Sequence, residues 1–234
     1  MKYEYLLFNI IVISGPLFFG SLKRFYFWGT IKESLISIII AAIPFIIWDA
    51  AVANRHWFFA DEYTLGFRIL KLPFEEILFF FSVPFACLFT WEMVKRHSTP
   101  SFLNFTIKGN SIFTISIIIT SISLLLLFIG KEYTSLAGLF FVASLLYDKI
   151  FGASILTSNK FLFFFILITI FTLVFNGYLT WRPIVTYDEI YQLDFRIFTI
   201  PIEDFFFGYA LLIICTSFYQ KMIGNKNNLE RDNS

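Results

Sequence analysis

The chain is poor in the residues that build most metal and disulfide sites. Its 234 residues include two cysteines and two histidines. Cys87 and Cys215 lie in apolar runs without a CxxC spacing, so the sequence predicts neither a disulfide framework nor a zinc site, and favours two small buried side chains. His56 and His97 have no metal-binding partners at a suitable spacing, so we expect both on the surface and no metal ion.

Motifs for nucleotide and hydrolase chemistry are missing as well. The sequence contains no GxGxxG after a strand, no GxxxxGK[ST], no GxSxG and no HExxH. Nothing therefore supports flavin, nicotinamide or nucleotide binding through those folds, and no cofactor is expected. The net charge of +1, with no basic stripe, also argues against a nucleic-acid partner.

Apolar residues are what the chain has in excess. They make up 58% of it, with 34 phenylalanines and a mean hydropathy of +0.74, whereas soluble domains average about 45–50%. Stretches that could cross a bilayer need about 17–25 residues each. The sequence therefore predicts an all-α integral membrane protein with about seven transmembrane helices, the first a true span and not a signal peptide. The spans are expected near 3–21, 33–53, 73–94, 111–130, 133–150, 161–180 and 200–221.

Charges outside the spans predict the orientation of the chain. Eleven of the 18 lysines and arginines fall on the side of the C-terminus and seven on the other. Basic residues prefer the cytoplasmic side of a membrane. We therefore expect a cytoplasmic C-terminus and an N-terminus outside, in a cell membrane. The polar segment 223–234 is expected to be a disordered tail.

Two segments of the chain repeat each other. FRILKLPFEEILF at 67–79 aligns without gaps on FRIFTIPIEDFFF at 195–207, an offset of 128 residues (195 − 67). Weaker matches extend the repeat upstream, where Trp48-Asp49 falls opposite Asn176-Gly177 and Tyr63 opposite Tyr191.

The repeat predicts the organisation of the helices. Two three-helix units can run parallel only if one extra span connects them. We therefore expect a first repeat at 1–94, a connector with the fourth helix at 95–132 and a second repeat at 133–222. Parallel repeats place substrate sites at the interface between units in many membrane proteins, so the predicted site is a cavity lined from both halves.

Each repeat places an acidic pair in the first turn of a helix, just after a proline. Carboxylates at the edge of hydrocarbon cost a few kcal/mol each, which favours a function for them. The helix dipole favours their ionised form and burial the neutral form, so a pair can hold one proton between its two carboxyls. The alternative is that the pairs only cap helices and mark the membrane interface. The candidates are Glu75 and Glu76 in the first repeat and Glu203 and Asp204 in the second.

Roles for these acids follow from the same reasoning. We expect Glu75 and Glu203 to be the essential acid and base, with Glu76 and Asp204 setting their protonation. Asp49 is a membrane carboxyl and its counterpart Asn176 cannot exchange protons, so both are expected to orient the pairs and to make the halves unequal. Arg68 and Arg196 precede the pairs and are expected either to form ion pairs with them or to anchor the loop.

Aromatic residues near the acids could stabilise a cation, an effect of about 1–2 kcal/mol when desolvated. The candidates for substrate contact are Trp48, Trp57, Phe79, Phe80, Tyr187 and Phe206.

These motifs together resemble the membrane-integral lycopene cyclases of the heterodimeric bacterial, archaeal and fungal type, in a fused two-repeat form. The resemblance rests on the Pro-x-Glu-Glu motif in each half, with Asp204 as a shorter second acid, and on Trp48-Asp49 and Asn176. It implies lycopene or a related acyclic carotenoid as substrate, membrane lipid and other carotenoid-pathway enzymes as partners, and β-ionone rings formed by proton-initiated, redox-neutral cyclisation in carotenoid biosynthesis, by an isomerase that acts as an intramolecular lyase.

Two alternatives stay open at this stage. A carotenoid hydratase would capture the same cation with water, and a proton-coupled transporter would use the same membrane carboxylates. A retinal photoreceptor is disfavoured, because the span from Ile200 to Tyr219 has no lysine for a Schiff base.

Overall fold

The protein is an all-α membrane protein, as predicted. The computed structural model describes residues 2–97, 106–107 and 109–232, with side chains to 226. In this part of the chain seven helical spans are long and apolar enough to cross a membrane. The helices are α1 Glu4–Ser21, α2 Ile31–Val52, α3 Phe74–Arg96, α4 Gly109–Phe128, α5 Glu132–Phe151, α6 Phe161–Phe171, α7 Gly177–Trp181 and α8 Ile202–Asp232. The sixth span joins α6 to α7 through a five-residue π-helical stretch, Thr172–Asn176.

The last helix is longer than the sequence suggested. Instead of ending in a disordered tail after 222, α8 continues to Asp232. The extension is held where Lys226 pairs with Glu33 at 3.1 Å and donates to the carbonyl of Gly29. A polar composition was therefore a poor guide here, because one ion pair to α2 supports an additional helical turn.

Short strands join the helices at one end of the bundle, and the prediction of an all-helical chain missed them. β1 Trp57–Phe59 pairs antiparallel with β4 Val185–Tyr187. Two hairpins lead into the helices that carry the acidic pairs: β2 Arg68–Ile69 with β3 Leu72–Pro73, and β5 Arg196–Ile197 with β6 Ile200–Pro201. We call this end of the molecule the acidic end.

The β1–β4 pair lies on a pseudo-twofold axis. By the offset of 128, Phe58 is the counterpart of Thr186, and these two residues are partners in the centre of the ladder. The hairpins are equivalent as well, since Leu70 and Phe198 both adopt a positive φ, at 52° and 56°. The repeat seen in the sequence is therefore a symmetry of the backbone.

Helix packing exchanges elements between the two halves. α1 packs on α3, and their counterparts α5 and α8 pack in the same way. The middle helix of each unit crosses over, so that α2 packs extensively on α8 and α6 packs on α3. The extra helix α4 packs on α5. The halves are interlocked and their facing surfaces form one interior.

Reciprocal ion pairs fasten the halves at the acidic end. Glu4 accepts from Arg182 at 2.6 and 2.9 Å, and Glu132, its counterpart 128 residues on, accepts from Arg55 at 2.7 Å. Each guanidinium also lies over a tyrosine of the opposite half, Tyr63 for Arg182 and Tyr191 for Arg55. Arg55 and Arg182 are related by 127 residues (182 − 55), because the connection from α7 to β4 is one residue longer.

His56 is buried in this cap, and the expectation of a surface histidine was wrong. Its side chain is 0% exposed, its Nε2 lies 3.2 Å from Glu132, and its ring stacks on Tyr191 at 4.5 Å. The cross-repeat strands cover it, which its sequence neighbours could not reveal. His97 is exposed, as expected.

The burial of His56 predicts a stability that falls on acidification. Burial lowers the pKa of His56, with Arg55 adding to this and Glu132 and Asp188 opposing it. Because the unfolded chain then binds a proton more readily, stability is full above about pH 6.5 and declines as the pH drops below it. Melting curves of the solubilised protein from pH 7.5 to 5 should show this decline, and His56→Gln should reduce it.

The matched control is His97→Gln at the exposed position. An equal pH slope in His56→Gln and the unmodified protein would contradict the assignment.

Candidate active site

A cavity of about 350 Å³ lies inside the bundle at the interface of the two repeats. α1 and α3 line it from the first repeat, and α6, α7 and α8 from the second. Most of its wall is phenylalanine and aliphatic side chains. Its polar residues gather at the acidic end; they are Tyr5, Asp49, Trp57, Glu76, Tyr133, Asn176, Tyr187 and Asp204.

Three carboxyls therefore face one largely apolar space. Asp49 comes from the last turn of α2, Glu76 from the first turn of α3 and Asp204 from the first turn of α8. All three are buried. Charges in such a place require partners or protons, because an uncompensated buried carboxylate is very costly.

Asp204 has the donors that an ionised carboxylate needs. Tyr133 donates to its Oδ1 at 2.5 Å, and Tyr187 and Asn176 donate to its Oδ2 at 2.5 and 2.8 Å. Burial raises the pKa of Tyr187 well above its usual range, and the neighbouring Asp204 adds to this, so the phenol keeps its proton. Three donors on one carboxylate stabilise the charged form.

Asn176 reaches Asp204 from the π-helical stretch. Such stretches are frequent at functional sites, where they re-aim a side chain by inserting one residue in a helix. By the strict offset of 128, Gly177 is opposite Asp49, but the relation of 127 seen for Arg55 and Arg182 makes Asn176 the counterpart of Asp49 (176 − 49). The two halves thus place an amide and a carboxyl at equivalent positions.

Glu76 and Asp49 form the contrasting arrangement. Tyr5 donates to Glu76 at 2.5 Å and Trp57 donates through Nε1 to Asp49 at 2.6 Å. Asp49 Oδ2 is buried without a donor among the described residues, and the charged group that acts most strongly on Asp49 is Glu76. Two adjacent carboxyls in a dry site bind each other only if one carries a proton. The pair Asp49–Glu76 is therefore suited to hold one proton.

Tyrosines supply the donors by the same symmetry. Tyr5 to Glu76 and Tyr133 to Asp204 both join residues 71 positions apart. The sequence reasoning missed these two tyrosines. The signal was present, because Glu4-Tyr5 and Glu132-Tyr133 repeat at the offset of 128.

Glu75 and Glu203 are fully buried but do not line the cavity. Each accepts the backbone N–H of a residue ten positions earlier, Leu65 at 2.6 Å and Leu193 at 2.8 Å. Glu203 also accepts from Thr134 at 2.5 Å. The first acid of each pair thus holds the preceding loop, and the second acid faces the cavity. This placement differs from the expected roles, which gave the chemistry to the first acid.

The aromatic candidates divide in a similar way. Trp57, Phe79, Phe80 and Tyr187 line the cavity. Trp48 instead packs against His56 and Phe140, and Phe206 packs against Phe141 at 5.3 Å. Neighbouring residues on a helix point in different directions, so an aromatic run alone could not select the inward rings.

The arginines before the acidic pairs serve the loops. Arg68 pairs with Asp61 at 2.6 Å and donates to the carbonyl of Lys71, and Arg196 donates to the carbonyl of Thr199. Of the two expectations for them, anchoring of the loop fits these contacts.

The fold and site together define a multi-pass membrane protein with two interlocked repeats and a composite carboxyl site. The lycopene cyclase family model matches residues 2–94 and 130–222. The chain therefore belongs to the lycopene cyclase family, and both the internal repeat and the resemblance are confirmed. This family implies an enzyme that acts on an acyclic carotenoid. No curated protein and no solved structure matches the chain.

The contacts of Glu203 predict that it is needed for stability. Glu203→Ala removes the acceptor of the Leu193 N–H and the Thr134 hydroxyl, and a buried donor left unpaired costs about 1–3 kcal/mol. Glu203→Gln keeps an acceptor oxygen and should restore most of this. Thermal unfolding in detergent measures both, with Glu189→Ala, an exposed position of the same connection, as the control. Equal melting temperatures for all three variants would contradict the structural role.

Proposed function

We propose that the protein cyclises the end groups of lycopene, or of a related acyclic carotenoid, by a proton-initiated and redox-neutral reaction. The observation that carries this proposal is the pairing of a proton-sharing dyad, Asp49–Glu76, with a carboxylate held ionised by three donors, Asp204, in one aromatic-lined cavity. Cyclisation of a terminal isoprene unit needs an acid, a base and a dry space between them.

The dyad supplies the proton. Glu76 lines the cavity, and a proton shared with Asp49 can pass to a carbon of the terminal double bond. The neighbouring carbon becomes a tertiary cation. Trp57 holds Asp49 through its indole N–H, so the dyad keeps its geometry during the transfer.

Ring closure and proton loss follow in the same cavity. The next double bond attacks the tertiary cation, and a carbon–carbon bond closes a six-membered ring. The new ring cation then loses a proton to Asp204, which sets the ring alkene. The product is an isomer of the substrate, and return of the proton from Asp204 to the dyad completes the cycle.

The aromatic rings between the acids stabilise the cations. Trp57, Phe79, Phe80 and Phe207 line the cavity next to the carboxyls. A ring face attracts a desolvated cation by about 2 kcal/mol. A carbocation in this space is therefore shielded from water and supported by the wall.

These roles invert the sequence expectation within each acidic pair. Glu76 and Asp204 touch the substrate and act as acid and base, and Glu75 and Glu203 position the loops. Asp49 acts through Glu76, and Asn176 through Asp204. We assign the ring type as β from the resemblance and place the acidic end outside the cytoplasm from the charge distribution.

Expression in a lycopene-accumulating cell tests the activity, with pigment analysis as the measurement. We expect cyclic carotenoids of the same mass as lycopene, because no atom is added or lost. A mass increase of one water per end would identify the protein as a hydratase. Unchanged lycopene, with folded protein in the membrane, would contradict the proposal.

Loss of either cavity-facing acid should abolish cyclisation. General acid–base groups contribute about 10²–10⁴-fold, so Glu76→Gln and Asp204→Asn should each reduce product at least about 100-fold. The double variant should be no worse, because the two groups act as a unit in one site.

Glu75→Gln and Glu203→Gln are the matched comparison, one residue away, and should retain measurable cyclisation. Substantial cyclic product from Glu76→Gln or Asp204→Asn at equal membrane abundance would refute the composite site.

A further inference from the structure

The cavity is long and has its reactive groups at one end. On α1 its lining runs from Tyr5 to Phe19, and on α3 from Glu76 to Thr90. Fourteen residues at about 1.5 Å rise give a length of roughly 21 Å. The three carboxyls that line it lie together at the Tyr5–Glu76 end.

The cavity also reaches the outer surface of the bundle beside α1. Ile11 and Phe19 line it and are nevertheless 55% and 47% exposed. Near the acidic end this side is closed, because Phe8 of α1 packs on Phe175 and Tyr178 of the sixth span. Further along the helices, Ile11 and Phe19 face the lipid-exposed side as well as the cavity. A molecule dissolved in the bilayer can therefore enter from the side.

A carotenoid is longer than this space. An extended carbon chain advances about 1.2 Å per bond, so the 32-carbon backbone of a C40 carotenoid spans roughly 35 Å. If one end group lies between Glu76 and Asp204, the opposite end group must project out of the cavity.

We propose that the substrate binds lengthwise and end-on, one end group at the carboxyls and the other in the bilayer, so that each binding event forms one ring. The inference rests on the proposed function and adds the binding mode. A second ring then requires the monocyclic product to leave, reverse and bind again. The free intermediate is a monocyclic carotenoid.

Gly15 gives access to the deep part of this groove. It lines the cavity ten residues along α1 from Tyr5, and a Cβ added there would meet no atom within 4 Å. A larger side chain at this position can be accepted by the fold and narrows the groove at about 15 Å from the carboxyls.

Purified protein in liposomes with isotope-labelled lycopene tests the binding mode. We expect labelled monocyclic product to appear first, and an added excess of unlabelled monocyclic carotenoid to dilute the label in the dicyclic product at least fivefold. Dicyclic product with undiluted label would overturn the inference while leaving the cyclase activity intact. Absence of any cyclic product would instead contradict the proposed function.

Gly15→Leu provides an independent test. It should reduce cyclisation of lycopene at least tenfold and spare an acyclic C10 isoprenoid with the same end group, which ends before the obstruction. Gly224→Leu is the control, because Gly224 on α8 also has open space and lies outside the cavity lining. Unchanged lycopene turnover in Gly15→Leu, at normal abundance, would overturn end-on binding along this groove.

Discussion

The burial of three carboxyls in one dry cavity is the constraint on which the rest of the structure depends. Asp204 is compensated by Tyr133, Tyr187 and Asn176, whereas Asp49 and Glu76 have one donor each and each other. A buried charge must be compensated or neutralised. The first arrangement stabilises a carboxylate and the second a shared proton, so differences in hydrogen bonding alone make an acid and a base from similar residues.

Duplication explains how such a site could be built from one design. Each repeat contributes a tyrosine, a loop-holding acid and a cavity-facing acid in the same geometry. The symmetry is broken where Asp49 corresponds to Asn176, and at the π-helical stretch that carries the amide. A perfectly symmetric pair would have equal proton affinities, and this single exchange separates them.

The cap at the acidic end keeps the two halves in register. The reciprocal pairs Glu4–Arg182 and Glu132–Arg55 cross between repeats, and the β1–β4 ladder lies on the axis between them. Because these contacts join residues far apart in the chain, they hold the carboxyls from both halves at fixed positions. The rigid end binds the reacting group, and the opening beside α1 serves exchange with the bilayer.

The sequence by itself determined the seven spans, the repeat and the importance of the two acidic pairs, since span length and a constant offset are properties of the chain. It could not decide which acid of each pair faces inward, because Glu75 and Glu76 are neighbours and only the loop contact of Leu65 separates them. The burial of His56, the donors Tyr5 and Tyr133, and the outward positions of Trp48 and Phe206 likewise depend on packing between the halves. Tertiary structure decided these points because the side chains of adjacent helical residues point in different directions, and only the crossing of the repeats fixes which direction is the interior.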